Sequence, residues 1–89
     1  MPTIAQFYGI AIQMYYNDHN PPHFHARYGR AKALFAISDA SIIAGELPST
    51  AVRLVREWAL ARRVELEQNW QRGRDGHPME RIAGPDDYD

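Results

Sequence analysis

The spacing of hydrophobic residues changes once along the chain, near Leu47, and this change limits the possible folds more than any other feature. Before it, short runs alternate between apolar and other positions, as in Ile10, Ile12, Met14 and Tyr16, which fall on one side of a strand. After it, apolar residues recur with the 3.6-residue period of an amphipathic helix. Strands followed by a helix predict an α+β domain.

The N-terminal half predicts an antiparallel sheet of four to five short strands that follow one another as a meander. Gly9 and the pair Gly29-Arg30 predict tight turns. Asn17 to Pro22 is the strongest turn signal, because Asn and Asp bond their own backbone and proline is excluded from central strands. The predicted strands are 4–8, 10–16, 23–28, 31–37 and a short edge strand at 41–44.

The C-terminal half predicts one long helix, from about Pro48 to about Arg72. Proline suits the first helical turn, Ser49 is a good cap, and Gly73 marks the end. We expect one apolar stripe of this helix to pack across a face of the sheet, with two tryptophans as anchors. The stripe consists of Ala51, Val55, Trp58, Ala59, Leu66 and Trp70.

The length of 89 residues allows a single domain, which we place at residues 1–74, with a partly mobile tail at 75–89. The absence of cysteine excludes disulfides and thiolate chemistry. The net charge of −1 gives no general attraction to polyanions. Without a long apolar run or a signal-peptide pattern, the expected location is cytoplasmic, with no membrane contact.

Two apolar residues, Leu60 and Val64, are predicted on the side of the helix that faces away from the stripe. They lie one turn apart, and the core of so short a chain is thin. The pair therefore indicates a contact with a small partner protein or with a second copy of the chain.

The segment from Asn17 to His25 is the one cluster whose side chains suit ligand binding or catalysis. On a strand, His23 and His25 project from the same face, with Arg27 next in line. Gln13 and Tyr15 are the expected cross-strand neighbours. Asp18 and His19 lie at the preceding turn, within reach. The predicted patch combines imidazoles, a guanidinium, a phenol and a carboxylate.

Three interpretations of this patch remain open. In the first, its residues cap a turn and line a solvated face. In the second, His23 and His25 bind a metal ion, with Asp18 or His19 as a third ligand. In the third, the patch contacts phosphate, with Arg27 neutralising charge. A catalytic version is a metal-independent ribonuclease, in which one histidine takes the 2′-hydroxyl proton and the other protonates the leaving oxygen.

Arg62 projects among the residues of the apolar stripe. Its stem can pass Trp58 toward solvent. Alternatively, Arg62 reaches the histidine face or an anionic ligand, and for this reason it counts among the candidate ligand-binding residues.

Several segments resemble the domain of unknown function 4160 family over residues 1 to about 72. They are Met1-Pro2-Thr3-Ile4, Phe7-Tyr8-Gly9-Ile10, Tyr16-Asn17-Asp18-His19-Asn20-Pro21-Pro22-His23-Phe24-His25-Ala26, Gly45-Glu46-Leu47-Pro48, Glu57-Trp58-Ala59 and Asn69-Trp70. The resemblance implies a prokaryotic cytosolic protein. It also implies a gene neighbour of the domain of unknown function 2442 family, in an arrangement similar to toxin–antitoxin pairs. No catalytic residue follows from it, because no activity is settled for the family.

From these observations we expect a small binding module, one half of a two-gene pair. It would contact a partner protein or a nucleic acid through the motif Asp18–Arg27. The alternatives are a ribonuclease using His23 and His25, and a small metal-binding protein. No cofactor is expected.

Overall fold

The computed structural model describes residues 2–86, which form one five-stranded sheet and two helices. Each strand pairs antiparallel with the next, so the predicted meander is confirmed. The strands are β1 (Thr3–Phe7), β2 (Ile10–Gln13), β3 (His23–Tyr28), β4 (Ala31–Ala36) and β5 (Ile42–Glu46).

Several turns contain residues with a positive φ. Tyr8 and Gly9, between β1 and β2, have φ of 51° and 76°. Two successive positive φ values give a two-residue turn that matches the twist of the flanking strands. Gly45 in β5 has φ of 77°, and a Cβ there would lie 2.4 Å from the carbonyl oxygen of Lys32. Glycine therefore permits the close approach of β5 to β4.

The prediction of one long helix is wrong, because the chain forms α1 (Ser49–Ala61) and α2 (Arg63–Asp75). Arg62, with φ of −109° and ψ of 22°, separates them. Its N–H still donates to the Trp58 carbonyl oxygen at 2.9 Å, and its own carbonyl accepts from the Leu66 N–H at 3.0 Å. The interruption is thus confined to a single residue.

The break makes the helical segment more compact than one straight helix would be. A straight helix from Ser49 to Asp75 would be about 40 Å long at 1.5 Å per residue. The longest dimension of the molecule is 34 Å. The break lets both helices bury apolar residues on the core. No proline or glycine marks the site of the break, and the end of α2 is set by Gly76, in the left-handed conformation, rather than by Gly73.

The core lies between the helices and one face of the sheet. Phe24 of β3 stacks on Phe35 of β4 with ring centroids 5.3 Å apart, and Trp58 of α1 packs against Phe7 at 5.1 Å. The predicted stripe is the buried side of the helices. All six of its residues are buried: Ala51, Val55, Trp58, Ala59, Leu66 and Trp70.

The described part of the predicted tail packs against the domain. Ile82 is 3% exposed and its N–H donates to the Ile4 carbonyl oxygen at 2.7 Å. The buried side chain of Asn69 donates to the Glu80 carbonyl at 2.7 Å and accepts from the Glu80 N–H at 2.8 Å. The predicted mobile tail also includes residues 87–89, which lie outside the described residues.

The outer helix surface carries the two predicted apolar residues. Leu60 is 52% exposed and Val64 is 65% exposed. Their contact with a partner stays a prediction. Between residues 2 and 86, no helix combines the length and the apolar character needed to cross a membrane.

Candidate functional site

The loop between β2 and β3 positions the Asp18 carboxylate at the start of β3. Asn17 adopts a positive φ of 57°, which asparagine tolerates, and its N–H donates to the Gly73 carbonyl of α2 at 3.3 Å. The Asn20-Pro21 peptide bond is cis. Asp18 accepts the N–H of His19 at 2.9 Å through Oδ1. Its Oδ2 is left to face the histidines of β3.

His23 has both ring nitrogens bonded to protein. Its Nδ1 lies 2.7 Å from the carbonyl oxygen of Pro21, and its Nε2 lies 3.0 Å from Asp18 Oδ2. The imidazole packs against the ring of Trp70 with centroids 5.4 Å apart, and the side chain is only 5% exposed. His23 therefore does not lie on a solvated face, as the first interpretation requires, because α2 covers this end of the sheet.

The Pro21 carbonyl orients the His23 ring. A carbonyl oxygen only accepts, so Nδ1 is the nitrogen that donates to it. The other ring nitrogen, Nε2, is therefore the one that faces Asp18, 3.0 Å from its Oδ2. A cation between these two atoms would be attracted by both of them.

His25 contributes a second imidazole with an unsatisfied nitrogen. Its Nε2 is buried without a hydrogen-bond partner and lies 3.8 Å from Asp18 Oδ2. Tyr15 meets the ring edge to face at 4.5 Å. Burial lowers the pKa of His25 below its ordinary value of 6.5, the charge of His23 lowers it further, and Asp18 opposes both. His25 is therefore neutral near pH 7.

Three donor atoms converge at this point. The imidazole nitrogens of His23 and His25 and a carboxylate oxygen of Asp18 all lie within 4.8 Å of one another. In a tetrahedral zinc site, ligand atoms at about 2.0–2.1 Å from the ion are about 3.3 Å apart. Asp18 Oδ2 lies 3.0 Å from His23 Nε2 and 3.8 Å from His25 Nε2, so the two distances lie on either side of that value.

The other predicted site residues lie around this cluster or away from it. His19 is 88% exposed and contacts the other carboxylate oxygen of Asp18 at 3.1 Å. Tyr15 and Arg27 line a cavity beside His25. Arg62 is not brought to the cluster. It pairs with Glu65 at 3.2 Å and lines a separate cavity.

Comparison with known proteins agrees with the resemblance in the sequence. The family model described as "Domain of unknown function (DUF4160)" matches residues 9–71. The chain belongs to this family. No curated protein and no solved structure matches the chain. The DUF4160 match includes all three converging donors and Trp70, whereas the packed segment that follows α2 lies beyond it.

Two residues at the DUF4160 site were not predicted from the sequence. Lys32 lies opposite Arg27 in the β3–β4 pair and lines the same cavity. The two-residue turn at Gly29-Arg30 was a sufficient signal for this pairing, because it fixes the register. Trp70 covers His23 from α2, beyond the break at Arg62, and the sequence carries no signal for that break.

Proposed function

We propose that this DUF4160 domain binds one divalent transition-metal ion of the zinc class. The ligands would be Asp18 Oδ2, His23 Nε2 and His25 Nε2. The observation that carries the proposal is their convergence within 4.8 Å, together with the bond from His23 to the Pro21 carbonyl.

The environment of His23 matches that of a metal ligand. Histidines that bind metals usually donate their other ring N–H to a carbonyl or carboxylate, which orients the ring. Here Nδ1 donates to Pro21, so Nε2 is the nitrogen directed at the carboxylate of Asp18. A metal ion between these two atoms would bind both of them.

The environment of His25 supports the same site. A buried polar atom without a partner is costly, and a bound cation is one of the partners that can satisfy it. An ion between His25 Nε2 and Asp18 would satisfy that nitrogen. The lowered pKa of His25 also fits, because imidazole binds metals in its neutral form.

The chemistry of the three ligands indicates the class of metal. Imidazole suits zinc, copper, iron and nickel, whereas calcium and magnesium prefer all-oxygen sites. The cluster contains no thiolate, because the chain has no cysteine. Three protein ligands leave at least one coordination position open for water or another ligand.

The geometry gives less support to the ribonuclease alternative. His23 has both nitrogens bonded and is 5% exposed, so it offers no free nitrogen to a substrate proton. Partner binding through Asp18–Arg27, the two-gene arrangement, the prokaryotic source and the cytoplasmic location stay predictions.

Calorimetric titration with zinc chloride tests the proposal on protein first stripped with chelator and then dialysed. We expect one zinc ion per chain, with binding lost in His25→Gln and in Asp18→Asn. The matched control is His77→Gln, which removes an exposed histidine outside the cluster. Equal zinc binding by wild type, His25→Gln and Asp18→Asn would overturn the proposal.

A further inference from the structure

A cavity of about 130 Å³ lies beside the proposed metal site. His25 belongs to both, since its ring lines the cavity while its Nε2 is one of the three converging donors. The other lining residues come from β2, the loop after it, β3 and β4. They are Gln13, Tyr15, Arg27, Lys32 and Leu34.

The cavity has two cationic residues in its lining. Arg27 and Lys32 are cross-strand partners, and neither forms an ion pair within residues 2–86. Glu46 is the β5 residue opposite Lys32, but it forms no ion pair with it in that part of the chain. These two positive charges are therefore available to a ligand.

Gln13 adds an unsatisfied polar group to the cavity lining. Its Oε1 is buried without a partner, while its Nε2 donates to the Thr3 hydroxyl at 3.4 Å. If the amide turned over, Thr3 could donate to Oε1 and the NH₂ would take the unpartnered position. Gln13 would then donate a hydrogen bond to an anion.

We propose that a phosphate group binds in this cavity and occupies the open coordination position of the metal, held by Arg27 and Lys32. This inference rests on the proposed metal site. One carboxylate leaves a bound divalent ion with a net charge of +1, and two further cations lie beside it. Such a concentration of positive charge in a partly buried site favours an anion.

The shape and charge of the lining favour phosphate over a carboxylate. Phosphate offers several oxygens and close to two negative charges, enough for the metal, the guanidinium and the ammonium together. The cavity volume of about 130 Å³ accommodates a phosphoryl group but not a large substituent. The expected ligand class is therefore a phosphate monoester whose organic part lies outside the cavity.

The proposal requires zinc and phosphate to bind cooperatively. If phosphate completes the coordination of zinc, each ligand tightens the binding of the other by the same factor. The test measures the zinc affinity of the whole chain by calorimetry, with and without methyl phosphate at constant ionic strength. We expect methyl phosphate to tighten zinc binding by at least about five-fold.

Two variants that each remove one positive charge test whether methyl phosphate acts from this cavity. Arg27→Gln should abolish the tightening by methyl phosphate. Arg30→Gln is the matched control, since it removes an exposed arginine in the adjacent turn that does not line the cavity, and it should retain the tightening.

Each contrary result contradicts a different part of the account. Equal zinc affinity with and without methyl phosphate would overturn the phosphate inference and leave the metal site standing. Equal tightening in wild type and Arg27→Gln would overturn the assignment of phosphate to this cavity. Failure of the wild type to bind zinc at all would overturn the metal site, and the phosphate inference with it.

Discussion

At the scale of single residues, the Asp18 carboxylate is shared by three histidines. His19 contacts Oδ1, whereas His23 and His25 approach Oδ2. The alternation of a strand was enough to predict that His23 and His25 share a face near Asp18. It was not enough to predict that His23 is buried, because Trp70 reaches it from an element distant in sequence.

The first prediction concerns the pH dependence of the metal-free protein. The folded-state pKa of His25 is lowered, mainly by burial, so on acidification the unfolded chain binds a proton before the native state does. The free energy of unfolding should therefore fall as the pH drops from 6.5 through the lower folded-state pKa.

Replacement of His25 removes this contribution. Urea unfolding in the presence of chelator, at about pH 7.5 and about pH 5.5, should show a smaller acid-induced loss of stability in His25→Gln than in wild type. An equal loss in both proteins would show that His25 does not titrate abnormally in the native state.

At the scale of elements, the sequence predicted the strands well and the helix only in part. The two-residue turns and the alternation fixed β2, β3 and β4 to within a few residues. The break at Arg62 could not be detected in the sequence. A single non-helical residue barely disturbs the 3.6-residue period of the apolar stripe, which therefore continues from α1 into α2. No proline or glycine stands at that position as a local signal.

The second prediction concerns Gly45, where β5 approaches β4. Its φ is 77°, and an added Cβ would lie 2.4 Å from the backbone oxygen of Lys32. Gly45→Ala should lower the free energy of unfolding by about 1–3 kcal/mol from backbone strain, with a further loss from the steric clash.

Gly29→Ala is the matched control for this prediction. Gly29 also has a positive φ, of 59°, but nothing lies within 4 Å of a Cβ there. In urea unfolding, Gly29→Ala should lower the free energy of unfolding clearly less than Gly45→Ala does. Equal losses would show that strain alone, and not the close approach of β5, determines the cost at Gly45.

At the scale of the whole molecule, Trp58 connects the sheet, α1 and the segment that follows α2. Its ring packs against Phe7 and Phe24, and its Nε1–H donates to the Ala83 carbonyl at 2.9 Å. The stripe predicted that Trp58 is buried. The bond to Ala83 had no sequence signal, because it joins residues distant in the chain.

The third prediction separates the two roles of Trp58. Trp58→Ala should cost about 3–5 kcal/mol, since it removes a large buried ring. Trp58→Phe keeps much of the packing but removes the bond to Ala83. Apart from the effect of the smaller ring, loss of this bond should lower the free energy of unfolding by only about 0.5–1.5 kcal/mol. Hydrogen exchange at the Ile82 amide should accelerate in both variants.

If hydrogen exchange at the Ile82 amide is unchanged in Trp58→Phe, the segment that follows α2 stays packed without the bond from the indole to Ala83. A loss below about 1 kcal/mol in Trp58→Ala would contradict its place in the core.

The central claim is that Asp18, His23 and His25 form one metal site. The most direct measurement is zinc-edge X-ray absorption on protein loaded with one equivalent of zinc. We predict two imidazole ligands, with zinc–nitrogen distances of about 2.0–2.1 Å, and oxygen in the remaining positions. His25→Gln, which should lose zinc binding, should not show this two-imidazole coordination when the same amount of zinc is added. A spectrum with only oxygen ligands, or one unchanged by His25→Gln, would contradict the claim.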